Sequence, residues 1–235
     1  MVAVKWQGVN MKLRAVDIST TASASTIVFN ALRKAIVEGE IPAGAPLRQD
    51  EIANMFNISR IPVREAISRL EEQGLIKTQR YKGAVVAGLS ADEAAEVFDL
   101  RALLEPEILR DAVPKMSKDC LKKARAHCMA FSDSPNPMEW GDLNRTFHRT
   151  LYGASALKYH KEVADNAMDR VERYTRAQLV MSNGMERADI EHQAILEACE
   201  EGDADRASLL LRDHIFGAKH SLLEHFPTAA GRNEK

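Results

Sequence analysis

The chain has 235 residues, 45% of them hydrophobic, which excludes a disordered or fibrous polypeptide and allows either one sizeable core or two modest ones. No apolar run is long enough to span a bilayer and the N-terminus lacks the continuous apolar core of a secretory signal, so a soluble, cytoplasmic chain is expected. The formal net charge of −2 hides an asymmetry: residues 25–89 carry nine Lys and Arg against seven Asp and Glu, residues 90–235 twenty against twenty-six, which permits an anionic partner at one end only.

Residues 1–24 show no sustained periodicity and are read as a mobile leader without a function. From Thr26, apolar Ile27, Phe29, Leu32, Ile36 and Val37 share a helical stripe, which Gly39, Pro42 and Gly44 stop. A short helix over Asp50–Phe56 follows, then the turn "NIS", then a helix over Ile61–Gln73 that tolerates Pro62 in its first turn and ends at Gly74. "LIKTQRYKGAVVAGLS" switches to short apolar runs around Tyr-Lys-Gly and reads as a small hairpin. From Ala91 the strand signals disappear and apolar residues recur at helical spacing in four or more segments. The expected fold is mainly α: a winged helix-turn-helix over 25–89, an all-helical antiparallel bundle over 90–228, and a tail over 229–235. Three cysteines, Cys120, Cys128 and Cys199, lack CxxC spacing and argue against both a disulfide framework and a thiolate zinc site.

A helix-turn-helix presents short and basic side chains at the start of its second helix, because that end enters the major groove. Ser59, Arg60, Pro62 and Arg64 stand there, with Arg60 and Arg64 four apart on one exposed face. Arg48, just before the preceding helix, is placed to grip phosphate, and Lys82 with Gly83 at the wing tip allow close approach to a groove. The competing reading is a solvated face on which Arg60, Arg64 and Arg69 are balanced by Glu65, Glu71 and Glu72. "LRQDEIANMFNISRIPVREAISRLEEQGLI" resembles the winged helix-turn-helix of the GntR family of bacterial transcription regulators, whose hallmark is S-R-x-P-V-R-E-A-[IL]-x-x-L-x-x-x-G-L. The resemblance implies that Arg48, Arg60 and Arg64 contact DNA, that Ser59 and Pro62 lie close to it, and that Gly83 marks the wing tip.

Three histidines sit beside apolar residues at helical spacing: His148 in "DLNRTFHRTLY", His192 in "DIEHQAILEA" and His214 in "LLLRDHIFGA". Each is either a hydrogen-bonded core residue or one of three inward imidazoles enclosing a divalent transition metal, for which neutral nitrogen donors suit zinc, nickel and related ions. Asn144 lies four residues before His148, on the same helical face. Residues 91–226 resemble the FCD ligand-binding domain of the FadR-like branch of the GntR family, whose metal-binding members use Asp or Asn, a His four residues later, and two further His. Asn144, His148, His192 and His214 match that pattern, with a neutral Asn where many members place Asp. Arg101 is either paired with Glu105, four residues on, or the cation that meets an effector carboxylate, as the FCD resemblance implies. Tyr174 and Arg176 are weaker candidates for the edge of that pocket.

The leading expectation is a ligand-responsive transcription regulator, a repressor that binds an inverted-repeat operator in double-stranded DNA as a homodimer and senses a small carboxylate effector. The alternative is a metal-dependent hydrolase with a three-histidine site, which lacks HExxH spacing and leaves the basic N-terminal half unexplained.

Overall fold

A computed structural model describes residues 2–6, 9–13, 23–137, 139–181 and 184–226. The chain divides between Leu89 and Ser90 into two compact units. In the first unit, β1 (Val2–Trp6) pairs antiparallel with β2 (Val9–Leu13), in a register that sets Trp6 opposite Val9. The sequence reading placed no regular element there. Its signal was present in the alternating "VAVKW" and "VNMKL" around Gln7-Gly8, a two-residue hairpin pattern too short to stand out. Residues 14–22 of the expected leader, and the tail over 229–235, lie outside the described residues.

Helix α1 (Ala24–Val37) is capped by Ser23, whose side chain accepts from the Thr26 N–H. It packs on α3 (Arg60–Glu72), with α2 (Gln49–Phe56) between turn and wing. Val28, Leu32, Ile36, Ile52, Val63 and Leu70 are buried together at their junction. The turn between α2 and α3 depends on Asn57, which adopts a left-handed conformation (φ 54°, ψ 48°) that a short polar side chain tolerates. Strands β3 (Ile76–Gln79) and β4 (Gly83–Val86) form the wing, and the segment before α2 is laced to it by Leu47 N–H to Ala84 O at 2.8 Å and Val86 N–H to Ala45 O at 2.9 Å. At the other edge Glu71 accepts from the backbone and hydroxyl of Thr78 at 2.9 and 2.7 Å, fastening α3 to the wing.

The second unit is helical: α4 (Ala91–Ala112), a short 3-10 turn at Val113–Lys115, α5 (Lys118–Asp133), α6 (Trp140–Tyr152), α7 (Lys158–Met181), α8 (Gly184–Glu200) and α9 (Ala204–Glu224). A reciprocal capping box starts α4, with Ser90 Oγ accepting from the Glu93 N–H and Glu93 accepting from the Ser90 N–H. Helix α4 packs on α7 and α9, while α5 bridges α6 and α8. Phe98, Ile108, Phe131, Phe147, Leu151 and Ile195 fill the interior.

The loop between α6 and α7 is held from outside by Asp111, which accepts from Ser155 Oγ and the Ala156 N–H at 2.8 Å each and pairs with Lys115. Its hydrogen bond to Lys115, followed by those from Ser155 and Ala156, holds the carboxyl down at about 2. A depressed carboxyl stabilises fully above its unfolded value of about 4 and loses that contribution as pH falls through the folded value. The Asp111 carboxyl is expected to titrate by NMR near 2, and Asp111→Ala to accelerate exchange of the Ala156 amide by about five- to tenfold at neutral pH. Unchanged exchange would show that the loop does not depend on this carboxylate.

Candidate nucleic-acid interface and metal centre

The arginines of α3 divide by what they touch. Arg69 reaches back to α1, its guanidinium lying 4.0 Å from the Phe29 ring centroid and Nη1 donating to Thr26 Oγ1 at 3.4 Å. Glu71 is committed to Thr78, so the charge-balanced face considered from sequence does not form as one ladder. Arg60 and Arg64 both project into solvent at the start of α3. Arg60 pairs with Asp50, whereas Arg64 has no ion pair among the described residues. Ser59 is the N-cap of α3 without a side-chain hydrogen bond, and Pro62 is half-buried in the first turn.

An open groove of about 720 Å³ separates the start of α2 from the wing, and Arg48, Gln49, Tyr81, Lys82 and Gly83 line it. The structure thus brings Arg48 and the wing tip together. Tyr81 and Gly83 both have positive φ, 66° and 70°, so the tip turns sharply enough to leave Tyr81 90% exposed. Sequence reasoning passed over Tyr81. Asp50 and Glu51 border the same groove and pair with Arg60 and Arg48, so any anion arriving there must displace carboxylates, an exchange that screened surface pairs allow at small cost.

In the helical unit, α6, α8 and α9 bring His148, His192 and His214 together. Their ligating nitrogens all lie within 4.8 Å of one another, and ring centroids are 5.0 Å (148–192), 5.2 Å (148–214) and 4.9 Å (192–214) apart. All three are buried, His192 between the rings of Phe131 and Phe147. Burial first, and then the neighbouring imidazoles, hold His148 and His192 well below the ordinary histidine value, so both are neutral with a lone pair available. Nε2 of His148 and both ring nitrogens of His192 have no hydrogen-bond partner. Such orphaned buried nitrogens are costly in a finished core and are what a bound cation would satisfy, so the donor set fits a divalent transition metal.

Each of the other two rings has an outer partner. His214 Nδ1 lies 2.6 Å from Glu191 Oε2, and His148 Nδ1 lies 3.4 Å from the Tyr152 hydroxyl. Asn144 is buried one turn before His148 on α6. The cysteines stay outside this chemistry: burial pushes the thiols of Cys128 and Cys199 up to about 11 and about 12.

Arg101 is buried with Glu105, its Nε donating to Oε1 at 2.6 Å, and Glu105 Oε2 accepts from the Tyr152 hydroxyl at 2.6 Å. The pairing considered from sequence is therefore present, as an interior pair rather than a surface one. Burial opposes the Arg101 charge, and Glu105 outweighs it. A second interior network crosses from α6 to α7, where Arg145 meets Asp169 and Glu172, the latter at 3.0 Å. Gly141 makes room for this network, since a Cβ there would fall 2.3 Å from Glu172 Oε1 and push that side chain aside. Arg176 is buried 3.7 Å from Asp142, and Tyr174 stacks on Phe226. Tyr152 and Arg145 were missed from sequence, although Tyr152 stands one turn from His148.

The pattern of families along the chain decides what this pair of sites belongs to. Residues 24–86 match the bacterial regulatory proteins of the gntR family, and residues 96–217 match the FCD domain. The chain belongs to the GntR family. It is a transcription regulator with a GntR helix-turn-helix and an FCD domain. It is 29% identical to the HTH-type transcriptional regulator BphR of Paraburkholderia xenovorans, with 85% of each chain covered. Against the HTH-type transcriptional repressor GlaR of Escherichia coli K12 the identity is 26%, covering 78% of this chain and 89% of that one. A GntR-family regulator from Pseudomonas syringae pv. tomato, solved by crystallography, is 30% identical over 86% of this chain and 85% of its own, with a TM-score of 0.53. These families and relatives are regulators and not enzymes, so the hydrolase alternative finds no support. No helix among the described residues is long and apolar enough to cross a membrane.

The division of arginines in this GntR domain has a measurable consequence. Arg69→Ala is expected to lower the thermal stability of the protein by about 0.5–1 kcal/mol through loss of its contact with Phe29, while Arg64→Ala leaves it within error. Equal melting temperatures for wild type and Arg69→Ala would remove Arg69 from its structural role.

Proposed function

We propose that this GntR-family protein is a dimeric cytoplasmic repressor of a catabolic operon. Its helical unit holds a divalent transition metal and responds to a small carboxylate effector. The observation that carries the metal reading is the convergence of three buried imidazoles, with Nε2 of His148 and both nitrogens of His192 lacking other partners. His148, His192 and His214 are the ligands, assisted by Asn144, and zinc or nickel suits the all-nitrogen set best. A divalent ion so held offers an open coordination position to a carboxylate oxygen. Arg101 supplies the second anchor for that acid, in competition with Glu105, which already occupies its guanidinium. Relatives named as repressors, GlaR among them, support the direction of regulation.

On DNA, Arg60 and Arg64 reach base edges and phosphates of the major groove. Arg48 and Lys82 grip phosphates from the two sides of the wing groove, while Ser59, Pro62 and Gly83 permit close approach. One winged helix covers too few base pairs for secure selection in a genome, so two copies read an inverted repeat.

The central test is elemental analysis of full-length protein purified without chelators or a polyhistidine tag, followed by calorimetric titration of Zn²⁺ into the stripped protein. Binding tighter than micromolar is expected, with His192→Ala and His214→Ala each releasing the ion and Asn144→Asp tightening it by adding a charged ligand. No binding in the micromolar range would return the histidines to the role of core residues. Separately, Arg60→Ala and Arg64→Ala are each expected to weaken operator binding by about tenfold or more at fixed salt without changing the melting temperature. Unaltered affinity in both variants would mean that another surface reads the DNA.

A further inference from the structure

The three imidazoles differ in what stands behind them. His214 rests on a carboxylate, Glu191, at 2.6 Å, and His192 rests on aromatic rings alone. His148 rests on a chain of polar groups that runs away from the centre into α4. Its Nδ1 faces the Tyr152 hydroxyl at 3.4 Å, that hydroxyl faces Glu105 Oε2 at 2.6 Å, and the other oxygen of Glu105 accepts from Arg101 Nε at 2.6 Å. Glu105 and Tyr152 are buried, and neither belongs to the metal-ligand set.

The donors along this chain have one consistent order. Arg101 can only donate, so Glu105 meets it as an acceptor, and the other carboxylate oxygen accepts from the Tyr152 hydroxyl. The short O···O separation therefore places the Tyr152 proton toward Glu105. The phenolic oxygen is left with lone pairs, and the remaining neighbour of the chain, His148 Nδ1, can satisfy it only as an N–H donor. A neutral imidazole with its proton on Nδ1 has its lone pair on Nε2, which is the nitrogen without a partner at the histidine centre.

We propose that Tyr152 and Glu105, anchored by Arg101, are positioning residues that fix His148 as the Nδ1–H tautomer and so keep its Nε2 lone pair turned to the centre. The 3.4 Å separation is at the long end for a hydrogen bond, so the contact sets a preference for the Nδ1–H tautomer and the ring orientation that goes with it. Where this rests on the metal reading above, it adds a consequence: an acid that draws Arg101 away from Glu105 loosens the group that holds Tyr152 behind a ligand. By reciprocity, metal at His148 then alters the affinity of Arg101 for the acid.

The test uses full-length, metal-free protein with ¹⁵N-labelled histidine rings. Wild type is expected to show His148 with a protonated Nδ1 and an unprotonated Nε2. Tyr152→Phe removes the acceptor and is expected to give a mixture of tautomers. Glu105→Gln is the sharper variant. Its carboxamide oxygen can keep Arg101 while its NH₂ donates to the phenolic oxygen, which frees the Tyr152 proton for His148 Nδ1 and moves the imidazole proton to Nε2. Both variants are expected to bind Co²⁺ about 10–100-fold more weakly than wild type, the range typical of groups that orient metal ligands. Should one variant fail to fold by circular dichroism, the other and the wild-type tautomer still decide. A wild-type His148 protonated on Nε2, or a ring pattern unchanged in a folded variant, overturns the proposal. If Co²⁺ fails to bind wild type although the tautomer behaves as stated, the metal reading falls and the positioning of His148 stands.

Discussion

Helices α6, α8 and α9 meet around three imidazoles whose ring centroids lie within 5.2 Å of one another, deep in a helical interior. Burial leaves His148 and His192 no solvent to screen a charge, whereas His214 leans on the Glu191 carboxylate at 2.6 Å. Bringing a bare charge into such a place costs several kcal/mol, far more than the packing of one side chain returns. The fold therefore commits His148 and His192 to neutrality, and neutrality is what turns them into donors. The same enclosure that makes Phe131 and Phe147 a good hydrophobic wall makes nitrogens without partners a standing cost unless a cation collects them. Packing and chemistry here follow from one constraint.

Around that centre the interior holds two networks in which a buried cation meets a carboxylate. Arg101 with Glu105, and Arg145 with Asp169 and Glu172, are buried cations each met by a carboxylate on the same or the facing helix. Burial pushes the Glu172 carboxyl up and Arg145 pulls it back, and the opposed forces show why neither partner could be removed alone without leaving an uncompensated charge. These pairs add little net stability compared with apolar side chains of equal volume. They do restrict which helix faces can meet, and Gly141, with no Cβ to strike Glu172, completes that restriction on α6.

Much of this was legible in the sequence. The α2–turn–α3 unit reads directly because the turn residue, the first-turn proline and the closing glycine are local signals with local causes, and the helices fall within a residue of where periodicity places them. The inward faces of the three histidines were legible for the same reason. Their convergence was not, since it depends on how three helices cross, and spacing along one chain says nothing of that. Partner identity was harder still. Glu191 adjoins His192 in the sequence yet serves His214, and Glu71, which looks like a counter-ion for a neighbouring arginine, is taken by Thr78 on the wing. The β1–β2 pair was missed because five-residue strands carry too few alternations to rise above noise.

The two halves of the chain handle the same residue type by opposite means. In the DNA-binding unit, Arg48, Arg60 and Arg64 are exposed, and their carboxylate partners, where they have any, are exposed as well. Pairs of that kind are screened and exchangeable, so an incoming anion can replace Glu51 and Asp50 with small loss. Arg101 and Arg145 are sealed with their partners, where an exchange requires an incoming group that matches the carboxylate in charge and geometry. A phosphodiester backbone meets the first condition anywhere along its length. The second condition is met only by a group small enough to enter a helical interior, so exposure of the arginines decides which charges can be exchanged.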